Sequence, residues 1–365
     1  MSISRQTLFW ASALVVLLLI VAVLHEILLP FILGAAIAYL LDPLADWLEG
    51  LGLSRLLATV LIMLLFSLVV IIGLIVVLPL LVEQLVDLAT RMPEYLQSLR
   101  DLAINTLKGW FGDKWLTAKL QLDGTIKELA QKATGWAGGL LTSVLSGGLA
   151  VVNFIALLVI TPVVAFYLLL DWDRMMQHIS DWLPRDHADA IRQIGRDIDE
   201  VISGFVRGQF TVLMILGLFY VIGLTLIGLN FGLLIGLGAG LVSFIPFVGP
   251  VVGFVVGGTV AVVQFWPDWH WVAAVIGVFL VGQAIEGNIL SPMIVGDRVR
   301  LHPVWLMFAL FVFGYLFGFV GMLLAVPVAA AIGVLVRFGL QLYLKSSLYQ
   351  GEAKPKRKKK PRPVQ

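Results

Sequence analysis

Residues Ile245–Pro250 read IPFVGP, in the middle of an apolar stretch that runs from Phe231 to Gln264. Pro246 and Pro250 each remove a backbone donor and Gly249 loosens the turn between them, so a straight helix does not pass through the hexapeptide. In hydrocarbon a freed carbonyl costs several kcal/mol unless protein or water satisfies it. The break therefore belongs in a protein-lined interior or a wet cavity, and it predicts non-helical backbone at membrane depth. Each arm, Phe231–Phe244 and Val251–Gln264, holds about 14 residues, roughly 21 Å as helix and short for a hydrocarbon core of ~30 Å. A re-entrant hairpin and a pair of thin or tilted spans are both compatible with that length.

The rest of the chain supports a membrane setting. Of its 365 residues 60% are hydrophobic and 13% charged, with a mean hydropathy of +0.99; a soluble domain carries roughly 45–50% apolar residues. The absence of cysteine excludes disulfides, thiolate metal sites and cysteine nucleophiles. His25, His178, His187, His270 and His302 are scattered, with no pair at metal-ligand spacing. No P-loop, HExxH or GxSxG motif occurs. No cofactor, metal or enzymatic activity is expected, and ATP is not an energy source for this chain alone. The net charge of +2 depends on the tail Lys354–Arg362, KPKRKKKPR. That tail reads as an orientation determinant and an anchor for anionic lipids rather than a nucleic-acid arm.

Five segments follow from the pattern. Residues 1–82 hold N-terminal transmembrane helices: Leu8–Leu24, a tight turn at His25–Glu26, Ile27–Leu41 ending at Asp42-Pro43, and Leu56–Val82. Residues 83–145 form an extracytoplasmic amphipathic helical subdomain. Between Glu83 and Gly139 seven basic side chains balance seven acidic ones, and Leu85, Leu88, Met92, Leu96, Leu99, Ala103 and Leu107 recur at helical spacing, with a kink predicted at Pro93. A second helical piece is expected around Ile126, Leu129 and Ala133. Residues 146–206 add a span, Leu149–Leu170, stopping at Asp171–Arg174, then a cytoplasmic helix with a stripe at Ile191, Ile194, Ile198, Val201 and Phe205. Residues 207–344 carry the broken, glycine-rich elements, including Val304–Leu344, which Gly318, Gly321 and Pro327 split into a second hairpin or two spans. Residues 345–365 are the polybasic tail. Lysine and arginine near span ends put the tail, Asp297–Arg300 and Arg174–Arg207 inside. Counting back puts the N-terminus inside as well and residues 83–145 outside; the Asp42–Arg55 loop, with three acids and one arginine, fits least well.

Several strings carry a resemblance: AYLLDPL with the preceding PF (Pro30–Leu44), TPVVAFYLLLDWDRM (Thr161–Met175), RGQ (Arg207–Gln209), SFIPFVGPVVG (Ser243–Gly253), EGNILSPMIVGDRVRLHP (Glu286–Pro303) and YLFGFVGMLLAVPVAA (Tyr315–Ala330). Together they resemble the autoinducer-2 exporter family of bacterial inner-membrane permeases over nearly the whole chain. The resemblance implies an all-α integral membrane protein, a polytopic helical bundle of about seven or eight spans with broken or re-entrant hairpins. It also implies transport of a small polar solute such as autoinducer-2, or sodium or lithium exchange for protons.

The residues expected on the solute or ion path come from both halves of that reading. Glu286 follows an apolar span, with Gln283 three residues before it and Asn288 two after, a group suited to a cation or a hydroxylated solute. Arg207 and Gln209 open a span; Arg207 is either a snorkelling anchor or a partner for Asp171 or Glu286 that breaks and reforms. Pro246, Gly249, Pro250 and Pro292 mark backbone that faces the path or merely kinks it. Asp42 before Pro43 reads as a helix stop. The expected partners are membrane lipids, a small-molecule or cation substrate and further copies of the chain, with no nucleic acid. The competing readings are a non-transporting scaffold that binds envelope partners through Glu83–Gly139 and the basic tail, and a passive channel.

Overall fold

The computed structural model describes residues 3–111, 148–185, 188–245, 248–295 and 302–350, with isolated positions 124, 128, 131, 132, 135 and 139. Among the described residues there is no strand, and seven helices are long and apolar enough to cross a bilayer. The chain is an all-α polytopic membrane protein. The expected helix around Ile126–Ala133 and the Asp297–Arg300 loop lie outside the described residues, as does the tail.

Helix α1 (Ile3–Gly50) runs 48 residues without a break, which corrects the turn expected at His25–Glu26 and the stop expected at Asp42-Pro43. Pro30 and Pro43 lie inside it. A proline frees one carbonyl and bends a helix, but in lipid the chain keeps helical bonds on either side because the alternative is unsatisfied backbone. The even count of crossings that put the N-terminus with the tail needed that turn and loses its basis. Helix α2 (Arg55–Phe111) is continuous through Pro79 and Pro93. At 57 residues it is ~85 Å long, so lipid-spanning and amphipathic sequence share one rod. Leu64, Leu65 and Ile75 in its first half are exposed, as expected of a surface solvated by acyl chains. Helix α3 (Gly148–Asp181) passes both Pro162 and the expected stop at Asp171–Arg174. It packs closely on α1 at Gly34, where a Cβ would come within 2.7 Å of Val164, around a core of Ala38, Leu41, Ala45, Ala165 and Leu169.

Helix α4 (Ala188–Ile227) is the central post. Ile194, Ile198 and Val201 of its predicted stripe pack on Ala330 and Val334. Gly228 and Phe231, at φ 76° and 61°, turn the chain into α5 (Gly232–Val242), and α6 (Val248–Phe265) follows the break. A Cβ on Gly253 would lie 2.6 Å from that of Ala239, one on Gly257 3.5 Å from Ile235, and one on Gly249 would strike Ser243. Each pair is evenly spaced about the break, so α5 and α6 form an antiparallel hairpin. With 11 residues, α5 is ~16 Å long.

Helix α7 (Trp269–Ile285) leads directly into a π-helix (Glu286–Val295) that contains Pro292. Helix α8 (Pro303–Lys345) reverses at Gly318, whose φ 59° and ψ −139° are not helical. The backbone of Gly321 there abuts the Phe313 carbonyl, whereas residues eight apart in one helix are ~12 Å apart. This is the second hairpin; α9 (Ser347–Gln350) is a short terminal turn. The larger core gathers Leu216, Tyr220 and Leu224 of α4 with Ile235, Ala239, Ala261, Val275, Phe279 and Leu290.

Candidate functional site

The break is capped from α4. Breaking a helix leaves terminal carbonyls without donors, and Gln209 Nε2 donates to the Ser243 carbonyl at 2.8 Å in a buried setting. Ser243 Oγ donates to the Ala239 carbonyl at 2.7 Å, and the Phe244 ring meets Phe205 edge-on at 6.0 Å. Gly249 and Pro250 are buried in the first turn of α6; Pro246 lies outside the described residues. Gln209 thus acts as the side-chain cap of the hairpin tip.

Glu286 stands at the junction of α7 and the π-helix, a widened helical form frequent at functional sites. Its Oε2 is buried and has no hydrogen-bond partner among the described residues; the hydroxyl of Tyr220 shares that condition. Tyr220 is fully buried on α4, and its hydroxyl is within electrostatic reach of Glu286. Gly282, one turn before Glu286, makes the space: a Cβ there would lie 2.6 Å from that hydroxyl. Gln283 and Asn288 are exposed, and Asn288 Nδ2 donates to the Ala284 carbonyl of its own helix at 3.0 Å. Pro292 is exposed too. The structure therefore does not gather Gln283, Glu286 and Asn288 into one cation cage; Glu286 alone turns inward, toward Tyr220. An ionised carboxylate buried without a partner is costly, so this position favours a proton, a cation or a donor from a solute.

A second polar locus lies at the end of the bundle marked by Asp42. Asp42, Asp46 and Glu49 are spaced four and three apart on one face of α1, near its C-terminus where negative charge is unfavourable. All three converge on Arg55, at 2.8, 2.7 and 3.1 Å, and Arg55 Nε donates to the Leu169 carbonyl at 3.0 Å. Arg207 Nε donates to the Tyr39 carbonyl at 2.8 Å, and its Nη2 lies 3.5 Å from the other oxygen of Asp42. Its partner is thus Asp42 rather than Asp171 or Glu286; Asp171 faces Arg174 at 3.7 Å. Tyr39 donates to Asp199 at 2.9 Å and meets the Trp172 ring edge-on at 5.4 Å. A cleft of about 140 Å³ opens between α1, α3 and α4, with Tyr39, Asp42, Trp172, Asp199, Ser203 and Arg207 in its wall.

The other end of the α5–α6 hairpin is tied by amides. Gln264 accepts from the Asn230 backbone N–H at 2.7 Å and donates to the Gly228 carbonyl at 2.8 Å. From α2, Gln84 accepts from the Leu234 N–H at 3.0 Å, and the Tyr95 hydroxyl accepts from Asn230 at 3.4 Å.

The family model described as AI-2E family transporter matches residues 11–341. The chain belongs to the AI-2E transporter family. Among its relatives, the "Putative transport protein YrrI" of Bacillus subtilis is 31% identical, over 86% of this chain and 87% of the relative. The "Putative permease PerM" of Escherichia coli is 27% identical over 89% and 92%, and the "AI-2 transport protein TqsA" of Escherichia coli is 26% identical over 88% and 88%. Four of the six strings that carried the AI-2E resemblance meet in space. AYLLDPL supplies Tyr39 and Asp42, DWDRM supplies Trp172, RGQ supplies Arg207 and Gln209, and SFIPFVGP supplies Ser243. Tyr220 and Asp199 stand outside those strings. For Tyr220 the available sign was a hydroxyl inside the apolar run Phe210–Leu229; for Asp199, whose partner is 160 residues away, no local sign existed.

Proposed function

We propose that this AI-2E family member is a secondary transporter of the bacterial inner membrane that exports a small polar solute, of autoinducer-2 type, or a cation. Glu286 is its coupling site for a proton or sodium ion. The observation that carries this reading is the pair of buried, unpartnered oxygens, Glu286 Oε2 and Tyr220 Oη, in the core that also seats the α5–α6 hairpin. Ionisable groups at membrane depth are rare and mark ion or substrate paths. Glycine faces on the hairpin support movement: Gly236 abuts the α4 backbone at Val221, and Gly253 and Gly257 seat the Phe279 ring of α7. Small-residue contacts of this kind let helix backbones approach closely. In this mechanism the hairpin tip leaves Gln209 when Glu286 changes its occupant, and the re-entrant arms alternate access. The basic tail and Arg174–Arg207 put the Asp42 end in the cytoplasm.

The test is solute and cation flux in proteoliposomes under imposed pH and sodium gradients. Saturable flux that follows one of the gradients is expected. Flux that responds to neither gradient overturns the proposal, and flux that also fails to saturate makes the protein a channel.

A further inference from the structure

The cleft beside Asp42 is distinct from Glu286 and is not used by the coupling mechanism. Its wall carries two carboxylates, Asp42 and Asp199, against one guanidinium, Arg207, so it is acidic on balance. Arg55 is consumed by its three acids and the Leu169 carbonyl. Asp199 accepts from Tyr39 through Oδ1, which leaves its second oxygen without a partner among the described residues. Two aromatic rings, Tyr39 and Trp172, form the adjoining wall, and aromatic faces attract ammonium groups. The volume of about 140 Å³ is well above the roughly 10–15 Å³ that a single water needs, room for an occupant of a few non-hydrogen atoms.

We propose that this cleft binds the ammonium group of a small organic amine, with the carboxylate of Asp199 as its counter-charge and Tyr39 and Trp172 as its aromatic wall. The proposal rests on the transporter reading in one respect: it makes the cleft a solute site on the transport route. Arg207 gives the site a link to the hairpin. An ammonium at Asp42 and Asp199 competes for the 3.5 Å contact between Arg207 and Asp42, and two residues further along α4 Gln209 holds the hairpin tip. Ammonium chemistry has two sources, a soluble amine and an ethanolamine lipid headgroup.

The experiment is equilibrium binding of radiolabelled ethanolamine to the full-length protein in phosphatidylglycerol nanodiscs, in amine-free buffer. Saturable binding is expected, displaced by unlabelled ethanolamine but not by glycerol or glycolate of similar size. Asp199→Asn and Ser203→Leu should each weaken it at least about tenfold, or 1.4 kcal/mol. Ser203 donates only within its own helix, to Glu200 at 3.3 Å, so Ser203→Leu fills the cleft without breaking a tertiary bond. It decides the matter if Asp199→Asn does not elute as a folded species. Absence of saturable binding, equal displacement by glycerol or glycolate, or wild-type affinity in the folded variants overturns the proposal. Adding phosphatidylethanolamine to the discs separates the sources: competition assigns the headgroup and unchanged binding a soluble amine. The assay involves no gradient. Intact binding with gradient-blind flux therefore overturns the transporter reading alone, and coupled flux without amine binding overturns the cleft alone.

Discussion

Arg55 and Glu286 are both ionisable groups drawn partly out of water, and the fold treats them in opposite ways. Every guanidinium nitrogen of Arg55 is used, by three carboxylates and a carbonyl contributed by α1 and α3. Glu286 has a buried oxygen with nothing to accept from, beside a tyrosine hydroxyl in the same state. A saturated charge pins helices together and loses its value if any partner moves. An unsaturated one is a standing cost that only an occupant removes. In the proposed mechanism α1–α3 with its Arg55 clamp is the scaffold, and α4–α8, in which the hairpins and the π-helix lie, is the working region.

That contrast is open to attack by substitution, beginning where the effect should be largest. Arg55→Met leaves Asp42, Asp46 and Glu49 without their cation; because these acids are partly solvated, a loss of about 2–3 kcal/mol is expected, below the range for fully buried pairs. It reads as a lowered thermal midpoint in detergent, and an unchanged midpoint would deny Arg55 its clamping role. Gly249→Ala drives a methyl into Ser243 at the hairpin tip and should cost about 2 kcal/mol, with slowed flux. Wild-type stability there would mean that the tip is loosely packed. Gln209→Leu removes the donor to the Ser243 carbonyl, a loss of about 1–2 kcal/mol. Gln209→Glu, which lacks that donor, should not restore it. Smallest of all, Glu286→Leu should leave the thermal midpoint unchanged or raised, since it replaces an unpartnered acid with an apolar side chain. A drop as large as that of Arg55→Met would show that Glu286 is structural after all.

Much of this architecture was legible because prolines and glycines punctuate apolar sequence. IPFVGP located the first hairpin, and Gly318 and Gly321 located the second. Glu286 stood out as an acid at the end of an apolar run. What stayed hidden was tertiary or continuous. Nothing local announces that Tyr39 reaches Asp199 or that Gln209 caps Ser243, because those partners come from distant segments. The continuity of α1 past His25–Glu26 and of α2 past Val82 was concealed by polar residues and prolines, which read as ends in a sequence. In lipid the backbone retains its helix wherever it has no other partner. The trio of Gln283, Glu286 and Asn288 looked like one site because of its spacing, yet only Glu286 faces the core.

The most direct test joins stability to transport in one variant, Glu286→Gln, which keeps the size of the side chain and removes its charge. Reconstituted beside the wild type under imposed pH and sodium gradients, it should match the wild-type thermal midpoint and lose all gradient-driven flux. Gradient-driven flux at the wild-type rate in Glu286→Gln would contradict the account, since the buried carboxylate would then have no part in coupling.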